Sequence, residues 1–271
     1  MRQWMIDAFT SRAFGGNAAC ILEPLSAWPD AAWMQGLAGE NNVGATAFLR
    51  RTEMPSRFGL RWFTPAVEVP LCGHATLAAA HMLFAEAGLG AEALEFETLS
   101  GELCVQRSGD AYEMTLPAQQ ATPIPTPPEL VAALGVRPTE VWAGAYLVAI
   151  FETADEVRAL EPRHEALRLV SLAHGGQGNV GAAAPAEAGS AFDVIDRFFA
   201  PGYGIPEDAA TGSFHGILTP IFAGRFKAGP IRFHQAYPGR GAELEGRVEG
   251  DRVTLRGKAF TVSEARLRVG P

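Results

Sequence analysis

Short apolar-rich stretches separated by Gly, Pro and Asn dominate the 271-residue chain, and one longer apolar run in each half interrupts them. Stretches of that length bounded by turn residues read as strands. Residues 3–8 and 17–22 form a first pair around the Gly15-Gly16 turn. A helix begins at Pro29-Asp30 and ends near Glu40-Asn41-Asn42, and strands follow at 46–50 and 59–63. The first long apolar run, 73–87, is a helix closed by Gly88, and strands at 93–98, 102–107 and 111–116 complete the half. Five prolines between Pro117 and Pro128 mark an extended linker. The boundary falls there, dividing the chain into domains 1–117 and 118–271.

The second half begins with a helix at 129–134, a strand at 142–151 and a helix at 153–160 with Asp155 and Glu156 in its first turn. Residues 168–173 are strand-like, 191–199 form a strand, and 212–223 are the second long apolar run. Strands at 231–235, 243–249, 252–256 and 260–262 finish the chain. Residues 75–84 and 214–224 carry no Asp, Glu, Lys or Arg. A helix apolar on all sides is a buried one. The expected fold class is therefore α+β, with each half a strand barrel closed around a central helix.

The two halves share a motif. Phe63-Thr-Pro65-Ala-Val-Glu-Val-Pro70-Leu-Cys-Gly73-His74 resembles Phe199-Ala-Pro201-Gly-Tyr-Gly-Ile-Pro206-Glu-Asp-Ala-Ala-Thr-Gly212-Ser213. Matching Pro70 to Pro206 gives a loop of two residues in the first copy and five in the second. What repeats is a strand, a tight loop and a helix start. Helix starts carry unpaired N–H groups and the positive end of the dipole. If the two units pack face to face, both starts can receive one small carboxylate.

Composition narrows the class. Hydrophobic residues make up 48% of the chain, enough for a core in each half, and the net charge is −8. Lys227 and Lys258 are the only lysines, and both fall in apparent turns, which argues against a pyridoxal-phosphate Schiff base. No basic run points to nucleic acid, and no apolar stretch reaches the roughly 18–20 residues that span a bilayer. Cys20, Cys72 and Cys104 form neither a CxxC nor an even framework, as expected of reduced cytoplasm. The expectation is a cytoplasmic protein that needs no metal or cofactor.

Several residues could carry chemistry. His74 follows the motif glycine in the first turn of a buried helix, where the dipole disfavours a protonated ring. Asp208 lies in the loop before Gly212; its alternative role is a helix cap, as it is for Thr211 and Ser213. Glu207 reads as solvated. Cys72 at a helix start is either a thiolate base or nucleophile or a small buried residue. Its counterpart Thr211 excludes a symmetrical two-thiol mechanism. Gly176-Gln-Gly178-Asn-Val-Gly181 spells a dinucleotide fingerprint, but Pro185 and Gly189 follow where a helix is required. A Gly-rich loop is the plainer reading.

The chain resembles the PhzF-like phenazine-biosynthesis isomerases, relatives of diaminopimelate epimerase. The likeness spans essentially the whole chain and rests on Ile6-Asp-Ala-Phe9, Gly16-Asn17-Ala-Ala, Glu40-Asn-Asn42, Ala47-Phe48, Phe63-Thr-Pro65, Gly73-His74-Ala-Thr-Leu and Glu207-Asp-Ala-Ala-Thr-Gly-Ser213. It implies two pseudo-symmetric barrels of the diaminopimelate epimerase type, a cofactor-free site between them and a homodimer. Asp208, His74 and Ser213 become the catalytic set. Gly73, Gly212, Thr211, Cys72 and Asn17 become the substrate-binding set, with the glycine amides on the carboxylate. The family pattern Leu-Ser-Glu-Thr-x-Phe is here Val43-Gly44-Ala45-Thr46-Ala47-Phe48, so the position of the main proton carrier falls on Ala45. Glu40, five residues earlier, is a poor substitute, and His215 is a second candidate, although two places after Ser213 on a helix the two side chains diverge. The implied function is proton movement on a small carboxylate; the alternative is a silent relative that binds a metabolite or protein partner.

Overall fold

A computed structural model describes residues 1–226 and 229–271; Lys227 lies outside the described residues. The chain forms two compact units, Met1–Leu116 with Thr254–Pro271, and Pro117–Val253.

In the first unit β1 (Arg2–Ala8) pairs antiparallel with β2 (Asn17–Leu22). Helix α1 (Ala31–Asn41) leads to β3 (Ala45–Arg51), which runs parallel to β2. β4 (Arg57–Phe63) returns antiparallel to β3 and meets the two-residue β5 (Glu68–Val69). Helix α2 (Gly73–His81), prolonged by a π-helical turn over Met82–Glu86, delivers β6 (Ala93–Thr98) parallel to β4. β7 (Gly101–Ser108) and β8 (Ala111–Pro117) continue antiparallel. All of Gly73 to Ala80 is buried, so α2 is the core of this unit.

The second unit begins in the proline-rich segment, where β9 (Thr122–Ile124) and α3 (Pro128–Leu134) precede the hairpin β10 (Glu140–Ala143) and β11 (Leu147–Ile150). Helices α4 (Ala154–Arg158) and α5 (His164–Ala173) cross to β12 (Val180–Pro185), parallel to β11. β13 (Val194–Phe199) is antiparallel to β12 and pairs with β14 (Glu207–Asp208). Buried α6 (Gly212–Ala223) returns the chain to β15 (Ile231–Gln235), parallel to β13. β16 (Ala242–Glu249) and β17 (Arg252–Gly257) follow, and β18 (Ala259–Arg266) pairs antiparallel with β1.

The fold is α+β, and the sequence of pairings from β1 to β7 recurs from β10 to β16. Four expectations are corrected. The second domain does not run to residue 271, because β18 spends its hydrogen bonds on β1, from Arg2↔Arg266 to Ala8↔Ala259. The strand expected at 142–151 is a hairpin that turns at Gly144, whose amide bonds to the Tyr146 carbonyl. Residues 168–173 are helical: Leu167, Val170 and Ser171 bury one face at spacing three and four, and Arg168 pairs with Glu165 one turn back. Of residues 176–181, read as a Gly-rich loop, the last two already belong to β12, which small side chains and a proline concealed.

The pairing register also corrects the alignment of the repeat. Phe63 faces Glu68, and Phe199 faces Glu207; Trp62 faces Val69, and Phe198 faces Asp208. Glu68 therefore matches Glu207, Val69 matches Asp208, Cys72 matches Thr211, and His74 matches Ser213. Pro70 and Pro206 are not equivalent. The three extra residues of the second copy lie before Glu207, around the 3-10 turn Pro201–Tyr203.

Candidate active site

Cys72 is the N-cap residue of α2 and makes no side-chain cap bond. The cysteine is half-buried, and its Sγ lies 3.5 Å from Nδ1 and 3.9 Å from Nε2 of His74. His74 is buried, and Nδ2 of Asn17 reaches its Nδ1 at 3.2 Å. An amide nitrogen only donates, so Nδ1 accepts and the ring hydrogen sits on Nε2. A Cβ placed on Gly44 would fall 3.2 Å from that Nε2 and 2.6 Å from Oδ1 of Asn17. Glycine at 44 is thus a condition for the present seat of His74. Asn17, Cys72, Gly73 and His74 are brought together. Cys20, by contrast, is locked in β2, where burial pushes its thiol up to about 11.

The helix start of the second unit holds different groups on the same frame. Thr211, the N-cap residue of α6, also makes no side-chain cap bond. Its hydroxyl donates to Oδ2 of Asp208 at 2.7 Å. Hydrogen bonds to a charged acceptor contribute about 1.5–3 kcal/mol. Fully buried Gln235 clamps the loop from behind, donating to the Asp208 carbonyl at 2.7 Å and to Thr211 Oγ1 at 3.2 Å, and accepting the Thr211 amide at 2.8 Å. Ser213 Oγ lies 2.9 Å from the hydroxyl of Tyr146, which lies 2.7 Å from the hydroxyl of Tyr203. Asp208, Thr211, Gly212 and Ser213 thus share one loop and helix turn. His215 does not join them: it is wholly buried, with Nδ1 on the Thr211 carbonyl at 2.9 Å and Nε2 3.3 Å from Asp196. Thr76, its counterpart in α2, back-bonds to the Cys72 carbonyl in the same way at 2.7 Å.

Glu207 is not solvated. Its carboxylate is forked by Nε and Nη2 of Arg197 at 2.8 and 2.7 Å, with side chains only 10% and 8% exposed. Arg61 forks Glu68 at 2.7 Å through both nitrogens in the first unit. Each guanidinium also lies over the phenylalanine two residues on, Arg61 over Phe63 and Arg197 over Phe199. The repeat therefore includes an arginine before Phe-x-Pro and a glutamate after it. That arginine, two places upstream in both copies, was the available sequence signal. Bidentate pairs fix geometry as well as charge, and each fork holds β5 or β14 beside its parent strand.

Ala45 begins β3, fully buried opposite Ala19. Thr46 faces Phe63 and Val180 faces Phe199, so position 45 corresponds to Asn179 of the second unit. Asn179 is also fully buried; its Oδ1 accepts the Gly202 amide at 2.8 Å. Glu40 is exposed at the end of α1. The glycine run before β12 is a packing surface. Gly178 has φ +79, and a Cβ on Gly181 would overlap the Phe214 ring at 2.1 Å. Among the described residues, no three His, Cys, Asp or Glu side chains gather into a group that could hold a metal, and no helix is long and apolar enough to cross a membrane.

The chain is similar along almost its whole length to known proteins. The profile of the family PhzC-PhzF, phenazine biosynthesis-like protein, matches residues 6–136 and 141–265. An uncharacterized isomerase of Pseudomonas aeruginosa is 40% identical over 265 residues, covering 97% of both chains. The crystal structure of a PhzF-family phenazine biosynthesis protein from Enterococcus faecalis superposes with a TM-score of 0.90 at 33% identity, over 98% of this chain and 99% of that one. A predicted epimerase from Pseudomonas aeruginosa, 22% identical, shares the fold with a TM-score of 0.79 over 99% of each chain. With both repeat units matched by the profile, the chain belongs to the phenazine biosynthesis-like family.

Proposed function

We propose that the protein is a cofactor-independent isomerase that moves a proton on a small carboxylate, acting in the cytoplasm as a homodimer. Asp208 takes the proton from one substrate carbon and returns it to another, while Nε2–H of His74 donates a hydrogen bond to the substrate. Exchange of the hydrogen held on Asp208 with water brings solvent label into the product. The amides of Gly73 and Gly212, with the hydroxyl of Ser213, hold the carboxylate, while Asn17, Cys72 and Thr211 orient the reacting groups. The observation that carries this reading is the unequal furnishing of two repeated helix starts, a carboxylate at one and a donor imidazole at the other. Positioned acids and bases each contribute about 10²–10⁴-fold.

The second reading, a silent relative that only binds a metabolite or partner protein, is favoured by Gly44-Ala45 standing where the family carries Ser-Glu. Proton NMR of deuterium uptake from D₂O into a panel of small unsaturated and amino carboxylates separates the two. Under the enzymatic reading the native protein labels at least one panel member, and Asp208→Asn reduces labelling by at least about 10²-fold. Absence of labelling by the native protein and by Ala45→Glu leaves the binding role. The homodimer is checked by sedimentation, where a pure monomer at micromolar concentration excludes it.

A further inference from the structure

Two buried side chains of the second unit grip Thr211. Gln235 is wholly buried in β15, and two backbone groups with fixed roles orient its amide. The Thr211 amide can only donate, so its partner at 2.8 Å is Oε1; the Asp208 carbonyl can only accept, so its partner at 2.7 Å is Nε2. Nε2 therefore also donates to Thr211 Oγ1, at 3.2 Å. The threonine passes its own hydrogen to Oδ2 of Asp208 at 2.7 Å. Its carbonyl is held by Nδ1–H of His215 at 2.9 Å, and the other ring nitrogen lies 3.3 Å from buried Asp196. Amide, carbonyl and hydroxyl of one residue are thus each bonded to a buried side chain, and the hydroxyl leads on to a carboxylate.

The first helix start is built without most of this. Phe58 faces Phe96 as Val194 faces Phe233, so two places on Thr98 stands for Gln235 and Leu60 for Asp196. Thr98 spends its hydroxyl inside its own hairpin turn, donating to the Gly101 carbonyl at 2.6 Å and accepting the Ser100 amide at 3.1 Å. Thr76 alone supplies the bond to the N-cap carbonyl that His215 supplies in the second copy. An uncapped, buried helix start therefore does not require a buried amide, imidazole and carboxylate, each of which is costly to take out of water. What the second copy holds in addition is Asp208, where the first has Val69.

We infer that Gln235 is a positioning residue that holds the Asp208 carboxylate in one orientation through the hydroxyl of Thr211. Its bearing on catalysis rests on the reading that Asp208 is the base; the positioning itself does not. The χ1 angle of Asp208 is read in the full, isotopically labelled chain from the NMR couplings of its Cγ to the backbone nitrogen and carbonyl carbon. The native side chain should occupy one rotamer. Gln235→Met should average it and speed exchange of the Thr211 amide with water by at least about 10-fold. Thr211→Val keeps both backbone bonds of Gln235, so it should average the Asp208 rotamer while that amide exchanges within about 2-fold of its native rate. Thr211→Ser should restore the single rotamer, and Thr98→Val in the first unit should change neither reading. One rotamer retained in Gln235→Met, or in Thr211→Val should the former not fold, overturns the inference. In the deuterium assay Gln235→Met and Thr211→Val should each lower kcat about 10-fold with KM within about 2-fold, and the double variant should lose no more than either alone. Losses that multiply show Gln235 acting by another route and overturn the inference. An averaged rotamer with unchanged kcat leaves the positioning in place and overturns Asp208 as the base.

Discussion

The two helix starts are built on one frame and furnished differently. Both have an arginine–glutamate fork, a two-residue strand, a three-residue step to an uncapped N-cap residue, and a buried helix. At the first, Val69, Cys72 and His74 occupy the positions that Asp208, Thr211 and Ser213 occupy at the second. The frame is common to both copies, and three side chains per copy set them apart.

Position 45 offers the largest test of this asymmetry. Ala45→Glu should raise solvent-proton exchange by about 10²-fold or more, with Asp208→Asn in the same chain abolishing the gain. Burying a carboxylate where Ala45 is fully enclosed should also lower the urea midpoint, by a few kcal/mol of stability. Asn179→Asp, the matching change in the second unit, should leave exchange unraised.

The forks come next. Arg197→Met strands a buried Glu207 and removes a donor from the carbonyls of Val157, Arg158 and Leu160. A loss of about 3–5 kcal/mol in urea unfolding is expected. Arg61→Met, whose partners are 23% and 24% exposed, should cost about 1–2 kcal/mol. Equal losses would contradict the difference in burial between the copies.

Acid stability gives the smallest effect. Burial depresses the pKa of His81 in the first unit and of His234 in the second below the ordinary 6.5. The unfolded chain then binds protons more readily, so stability present above about pH 6.5 is lost as pH falls through the folded values. His81→Gln and His234→Gln should each flatten part of the decline in urea midpoint between pH 7 and 5.

Much of this was legible in the chain. The apolar run 212–223 and the strand 231–235 lie where their patterns place them, because both are local and periodic. The repeated motif singled out His74, Asp208 and Ser213 as candidates, and the family resemblance pointed to the same three. Register was hidden: Pro206 beside Glu207 offered a false anchor, and only the pairing of Phe199 with Glu207 places the insertion upstream. Tyr146 and Gln235 were invisible for a related reason. Each lies far in sequence from the loop it serves, and single-chain periodicity carries no information about such partners. Arg197 was in plain view, yet its fork exists only once β13 and β14 pair.

Pairing of β18 with β1 has a consequence for synthesis. A ribosome releases residues 2–8 long before residues 259–266, so β1 waits with one side unpaired while the whole second unit emerges. Unpaired strand edges invite association with other chains. The seven pairings that close this edge come from a strand made after the second unit, and residues 254–271 complete the first unit.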